Sequence, residues 1–415
     1  MTINYKKFEY ADVQFIDGDR GVNYPSKADF TKSGYCLFLN TGNVTSDGFD
    51  FSNLDFISKE RDELLRKGKV DVYDIVLTTR GTVGNAAYVS DNIPYKHIRI
   101  NSGMVIVRAD QNKIDPYVLY SFFRSPLFKK QCLSNGSGSA QPQLPISALK
   151  NIVFPDFNLV TQQKIANILS TLDRKIALNQ QINQKLEAMA KQLYDYWFVQ
   201  FDFPDENGKP YKSSGGEMVW CEVLKRDVPK GWEVKTLEQV ANITMGQSPK
   251  GESYNENGYG MVFFQGSTDF SWRFPSVRQY TTEPLRIAQK GDILLSVRAP
   301  VGAMNLAKSD CCIGRGLSAL NSKDNFNAFL FYVMKYFEKS FSLRNSVGTT
   351  FGSITKDDLY SLALIYPEIT ILEKYENIVS KYNNIILNKS DEIEKLTQLR
   401  DFLLPMLMNG QICVE

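Results

Sequence analysis

The stretch DIVLTTRGTVG at residues 74–84 returns as DILLSVRAPVG at residues 292–302. The return is one match in an ordered series. GYCLFLNTG (34–42) corresponds to GYGMVFFQG (258–266), and INSGMVIV (100–107) to IGRGLSAL (313–320). YVLYSFFR then matches AFLFYVMK, and NGSGSAQPQLPISAL (135–149) matches NSVGTTFGSITKDDL (345–359). A series kept in order with slowly drifting spacing is an internal duplication, so the chain must build one supersecondary plan twice.

Each copy mixes short β-branched and aromatic runs with Gly-rich turns and a few helices, the pattern of an α+β domain. A long helical segment follows each copy. The boundaries fall at 1–157 for the first domain, 158–201 for a central helix and 202–230 for a linker rich in Gly, Pro, Ser and charge. The second domain takes 231–367 and a C-terminal helix 368–415. The linker is expected to be partly ordered at best.

In the central helix a heptad runs through Ile165, Leu172, Asn179, Leu186 and Leu193, with Ile168, Lys175, Ile182, Met189 and Tyr196 as the second series. The C-terminal helix gives Tyr375, Tyr382, Lys389, Leu396 and Leu403, with Ile378, Ile385, Glu392, Leu399 and Met406. Ile176, Ile386 and Ile393 stand one position aside. Polar residues inside a seam fix register at a cost in stability, which assigns that role to Asn179 and Lys389. Helices of this length reach roughly 50 Å at ~1.5 Å per residue, suited to a strut between domains rather than to a cover on one. Antiparallel pairing would close the chain into a cyclic pseudo-twofold arrangement.

The chemistry the chain lacks narrows its function. There is no GxxxxGK[ST] loop, no third glycine behind its Gly-x-Gly fragments, no amino-methyltransferase NPP[YF] or DPPY, and no HExxH. PDENGK (204–209) has the wrong spacing for a nuclease site and reads as a turn. Six cysteines without CxxC spacing and a single histidine, His97, argue against a zinc site and for free buried thiols. The reading is therefore no catalytic residue and no metal site. A net charge of +2 requires any basic surface to be local. With no run of eighteen apolar residues and no signal-peptide core at MTINYKKFEY, a cytoplasmic location without a membrane partner is expected.

The segment LVTQQKIANILSTLDRKIALNQQINQKLEAMAKQLYDYWFVQFDFP resembles the central conserved region of specificity (S) subunits of type I restriction-modification systems. GWEVKTLEQVANI…GQSPKG, DILLSVRAPVG, CIGRGLSAL and VGTTFGSI extend the resemblance over nearly the whole chain. YKKFEYADVQFIDGDRG, which opens the first block, lacks the Gly-Trp start. The resemblance implies a fold class of two pseudo-symmetric α+β target-recognition domains separated by two long antiparallel coiled-coil helices. It implies a non-catalytic prokaryotic subunit reading a bipartite double-stranded DNA target, one half per domain. Two methyltransferase subunits and motor-nuclease subunits would be its partners. S-adenosylmethionine, ATP and Mg2+ would then belong to those partners, with no cofactor on this chain. The rival is a duplicated coiled-coil scaffold that reads no DNA.

A DNA reader needs cations in loops to meet phosphates, and amides or arginines to meet base edges. Arg80 and Arg298 hold equivalent places after a buried strand, where the plain alternative is a structural ion pair. Arg315 lies between glycines in CIGRGL, and Lys96 and Arg99 lie at the corresponding strand entry of the first domain. Gln141 and Gln143 face Thr349 and Thr350 across the duplication, in loops that could instead cap the junction of domain and helix. Tyr194, Trp197 and Phe198 form either a partner-docking patch or ordinary core.

Overall fold

The computed structural model describes residues 4–135, 143–346 and 353–412. Gln141, Thr349 and Thr350 lie outside these residues. The chain divides into two compact units: residues 1–180 with 391–415, and residues 181–390.

The first unit is built on a four-stranded antiparallel sheet. Its strands are β1 (Val13–Asp17), β3 (Ile75–Thr78), β4 (Ala86–Tyr88) and β6 (Met104–Ala109), in the order β1-β6-β3-β4. A second small sheet pairs β2 (Cys36–Leu39) in parallel with β5 (Ile98–Ile100). Strand β3 is buried along its whole length, which accounts for its continuous apolar run in place of alternation.

The second unit repeats this plan. Strands β7 (Ala241–Met245), β9 (Ile293–Ser296), β10 (Met304–Leu306) and β12 (Leu317–Ser322) follow the order β7-β12-β9-β10. Strand β8 (Met261–Phe264) pairs in parallel with β11 (Cys311–Ile313). The backbone bonds set the alignment of β2 with β8. Asn101 N donates to Leu39 O as Gly314 N donates to Phe264 O, so Asn40 corresponds to Gln265, one residue along from the match read in sequence.

The aspartate that opens each DI motif has the same task in both units. Asp74 accepts from Asp71 N and Asp292 from Gln289 N, each closing the turn three residues upstream. Each also reaches the neighbouring strand, Asp74 receiving Arg108 and Asp292 receiving Asn321. Buried carboxylates survive only with such partners.

Helix α1 (Pro116–Arg124) covers the first sheet and α3 (Asn327–Ser346) the second. The long helices are α2 (Leu159–Tyr194, 36 residues), which ends in a π-helical turn at Asp195–Val199, and α4 (Ile369–Met408, 40 residues). They run antiparallel within each unit. Lys175 pairs with Glu392 and Asp173 with Arg400 in the first unit. In the second, Asn183 donates to Ser390 and the Tyr375 hydroxyl to Ala190 O.

Burial corrects the phase of both seams. Ile165, Leu172, Asn179, Leu186 and Leu193 are buried or half-buried, as expected, but the second series is Gln162, Leu169, Ile176, Asn183, Ala190 and Trp197. In α4 the series are Tyr375 to Leu403, as expected, and Leu372, Val379, Ile386, Ile393, Arg400 and Leu407. Each corrected series lies one residue beyond the expected one. Met189, Tyr196, Ile385 and Leu399 are exposed, and Lys175 and Glu392 form an ion pair on the flank instead of a break in the seam.

The segment expected as a linker is an ordered part of the second unit. Met218–Cys221 and Arg226–Pro229 form a hairpin, and Phe201, Phe203, Val228 and Trp232 enter the core. The Phe203 ring stacks on Tyr211 at 4.7 Å and on Trp232 at 4.8 Å, so aromatic burial orders a Gly-rich stretch. Among the described residues all five cysteines are unpaired. Burial pushes the thiols of Cys36, Cys132 and Cys311 up to about 12, consistent with inert core positions.

Candidate nucleic-acid interface

In each unit five strand ends meet on one edge. In the first, the C-terminal ends of β1, β2, β3 and β5 adjoin the N-terminal end of β6. Pairings of Asp17 with Val105, Thr78 with Met104 and Leu39 with Ile100 bring them together. The second unit assembles β7, β8, β9, β11 and β12 likewise, through Met245 with Ser318, Ser296 with Leu317 and Phe264 with Ile313. A rigid sheet therefore carries a cluster of loops, the usual setting for a binding site.

The backbone of this edge is held the same way in both copies. Thr79 N and Arg80 N donate to Gly103 O at 2.8 and 3.1 Å, and Val297 N donates to Gly316 O at 2.9 Å. Leu144 N donates to Thr79 O and Ile354 N to Val297 O, both at 3.0 Å. Arg80 forms a β-bridge with Gln143, and Arg298 with Ser353. Strands β1 and β7 both leave the edge through a glycine with no room for a side chain. A Cβ at Gly18 would lie 2.2 Å from Asn101 O, and one at Gly246 would lie 2.1 Å from Gly314 O.

Arg80, Arg298 and Arg315 are exposed on these edges, and no hydrogen bond or ion pair holds their guanidinium groups among the described residues. That argues against the ion-pair reading of Arg80 and Arg298. Half-buried Gln143 joins Arg80 through its backbone.

Two candidates fall elsewhere. Lys96 is exposed but precedes β5, at the opposite end of that strand from Asn101. Arg99 is a core residue: its Nε pairs with Asp62, and its Nη1 and Nη2 donate to Lys67 O and Asp62 O at 2.7 and 2.8 Å. Its side chain is only 6% exposed, so Arg99 is withdrawn as a DNA contact. Burial works to raise the Asp62 pKa, but hydrogen bonding and charge from Arg99 outweigh it and hold the carboxyl below its usual range.

The aromatic candidates also resolve as core. Tyr194, Trp197 and Phe198 are buried against Phe329, Tyr332 and Tyr375, with Phe198 packing edge-on to Phe329 and to Tyr375 at 4.9 Å. They cannot offer a docking patch. Asn179 is fully buried in the seam with neither amide atom hydrogen-bonded among the described residues, and Lys389 is half-buried at the matching place in α4.

The edges also contain residues that motif reading passes over: Arg20, Asn40 and Asn101 in the first unit, and Gln247, Ser248 and Gln265 in the second. Arg20 Nη2 donates to Ser102 O at 3.3 Å, and Gln265 Nε2 donates to Ser248 Oγ at 2.9 Å. Buried Asp19 organises the first of these loops by accepting from Gly21 N, Arg66 N and Lys67 N. The Gly21 bond is the chief reason its carboxyl stays below the ordinary value. One signal lies in the sequence: each of these residues lies within three residues of the end of a strand that is matched, or whose partner strand is matched, between the copies.

Among the described residues no cluster of His, Cys, Asp and Glu could hold a metal ion, and no helix is long and apolar enough to cross a membrane. The edges offer hydrogen-bond donors and positive charge on a fixed frame, which suits contact with phosphates and base edges.

Known proteins repeat the plan. A chain of Methanocaldococcus jannaschii that carries the name MjaX type I restriction enzyme specificity subunit is 29% identical over 406 residues, covering 94% of this chain and 90% of its own. The type I restriction enzyme HindI specificity subunit of Haemophilus influenzae is 24% identical, covering 95% and 98%. The crystal structure of the type I restriction-modification system S subunit from M. genitalium shares the fold, with a TM-score of 0.62 at 19% identity over 98% of this chain and 96% of that one. Residues 3–188 and 229–398 each match the type I restriction modification DNA specificity domain, so both copies are accounted for and the chain belongs to that family.

Proposed function

We propose that each of the two edges reads one half of a bipartite double-stranded DNA target. The observation that supports this most is the duplicated edge itself, with Arg80 and Arg298 at the same place and different residues around them. Two readers of unlike half-sites must agree where they grip the phosphate backbone and differ where they touch bases. The family membership leaves the scaffold alternative disfavoured.

The subunit itself is non-catalytic in this reading. Methyltransferase subunits, two per chain, supply adenine methylation with S-adenosylmethionine, and motor-nuclease subunits supply cleavage with ATP and Mg2+. The long helices set the gap between half-sites and dock the methyltransferases. With the aromatic cluster buried, the exposed apolar residues Leu178, Met189, Ile385, Leu399 and Phe402 on α2 and α4 take over that docking role. The complex works in the prokaryotic cytoplasm.

The test is an exchange of residues 1–155 for the equivalent domain of another specificity subunit, read by sequencing the methylated motif. One half-site should change and the other should stay. A change in both would reject independent reading.

A further inference from the structure

The two edges differ at one pair of positions in a reciprocal way. Arg20 in the loop after β1 corresponds to Ser248 after β7, because Asp17 and Met245 hold equivalent places against β6 and β12. Ser102 in the β5–β6 loop corresponds to Arg315 in the β11–β12 loop. The arginine and the serine have therefore changed places between the copies. The two loops remain joined in each: Arg20 Nη2 donates to Ser102 O at 3.3 Å, and Arg315 N donates to Ser248 Oγ at 3.2 Å.

The exchange leaves the two guanidinium groups in different states. Arg20 is bonded to Ser102 O and lies 3.6 Å from Asp17, so part of its fork is occupied. Arg315 is tied through its backbone only, and its side chain is exposed and open among the described residues. Its loop is closely seated. A Cβ at Gly314 would lie 2.8 Å from Gln265 Oε1, and one at Gly316 would lie 2.7 Å from Gln265 O. Gln265 is held in turn by Ser248, whose hydroxyl meets both its amide and Arg315 N. The result is a free, planar, five-donor group on a fixed backbone.

Resting on the reading of the edges as the DNA interface, we infer that Arg315 specifies a guanine in the half-site read by the second copy. A free guanidinium fork matches guanine O6 and N7 in the major groove, and no other base offers that pair of acceptors. A phosphate contact is blind to the base, so removing the side chain separates the two: loss at one position marks a base contact, and equal loss on every duplex marks a phosphate contact.

The experiment uses the chain in complex with its methyltransferase subunits and compares wild type, Arg315→Lys, Arg315→Ala and the double variant Arg80→Ala/Arg298→Ala. Binding is measured on duplexes carrying each single base change in the methylated motif and on a random duplex, with methylome sequencing in parallel. Arg315→Ala should lose roughly 10- to 100-fold of discrimination at one guanine of one half-site and keep it at every other position. Arg315→Lys should relax the same position less, since lysine can donate to the same acceptors without the planar fork. Full discrimination by Arg315→Ala at every base, or equal weakening of Arg315→Ala on all duplexes, would overturn the guanine assignment and leave the edge as interface. If Arg315→Ala and the double variant both bind like wild type, the edge is not the interface, and both the assignment and the reading beneath it fall.

Discussion

The two copies fasten their domains to the helices with opposite polarity. In the first unit the acid Asp173 on α2 receives Arg124 Nη1 and the Tyr117 hydroxyl from α1, at 2.7 and 2.6 Å, and Arg400 Nη1 from α4 at 3.0 Å. In the second a single arginine, Arg273, reaches in from the loop after Ser267–Asp269. It pairs with Glu187 on α2, donates to Asn383 on α4 at 2.7 Å and lies 4.7 Å over the Phe331 ring. Asp173 gathers three donors around one acid, whereas Arg273 is a buried cation, 2% exposed, between half-buried Glu187 and Asn383. The duplicated plan thus ties each domain to both helices without conserving the element or the charge that does it, and the second copy adds Glu376 on α4, which accepts from Ala328 N and Phe329 N.

The sharpest test of that contrast is the loss of Arg273. Arg273→Ala removes a buried cation from between α2, α4 and Phe331 and leaves half-buried Glu187 unpaired, and should cost about 3 kcal/mol in urea unfolding. Replacing both partners by apolar residues, Arg273→Met with Glu187→Leu, should recover most of it, since a buried pair swapped for packing is often neutral. Asp173→Asn removes charge from a shared network and should cost less, about 2 kcal/mol. A larger loss at Asp173 than at Arg273 would break the comparison.

The Asp173 effect has a pH signature. Burial alone would raise its pKa, but Arg124, then Tyr117 and Arg400, outweigh it and hold the carboxyl below its ordinary value. A depressed carboxyl contributes its stability in full above the unfolded value of ~4. That contribution is lost as pH falls through the folded value. The gap between wild type and Asp173→Asn should be flat near neutral pH and shrink below roughly pH 4. A gap that widens on acidification would show that Asp173 is not held ionised by its partners.

Much of this was legible in the sequence, for identifiable reasons. A repeated DI-x-L run with its Arg fixes a buried strand and the exposed residue after it, so Arg80 and Arg298 were found. Arg20 follows its strand without a motif, and Asn40, Gln247 and Gln265 lie in matched or family-like runs that do not single them out; only the pairing to β5, β6, β11 and β12 brings them to the edge. Arg99 lies four residues before Gly103, but alternation along β5 points it to Asp62, a partner 37 residues away that no local pattern reveals. The seam phase was missed because the true series includes Gln162, Asn183, Ala190 and Arg400, whereas the residues one step away include Met189, Ile385 and Leu399. Apolarity pointed to the wrong face by one position.

The two long helices differ in what their seams contain, and Asn179 tests the difference. Its amide is buried without a partner among the described residues, a cost that apolar replacement removes. Asn179→Leu is expected to raise stability by about 1 kcal/mol, with a higher thermal midpoint. The gain should come with looser register, visible as broadened backbone amide signals from α2 and α4. A loss of stability instead would mean the amide is satisfied in solution and serves the fold directly.

The smallest expected effect tests the corrected seam. Leu399 belongs to the seam if the phase follows apolarity and to the surface if it follows burial, where it is 45% exposed. Ile386, one position aside from the expected series, is fully buried. A lysine at Leu399 can keep its charge in water, so Leu399→Lys should change unfolding stability by no more than about 0.5 kcal/mol. A lysine at Ile386 must either bury an unpaired charge or push the helix aside, and should cost several-fold more. Methyltransferase co-purification sharpens the result, because an exposed leucine that leaves stability unchanged but is needed for the complex marks a docking face. Equal losses at Leu399 and Ile386 would return the seam to the phase that apolarity suggested and withdraw the exposed faces of α2 and α4 as docking surfaces.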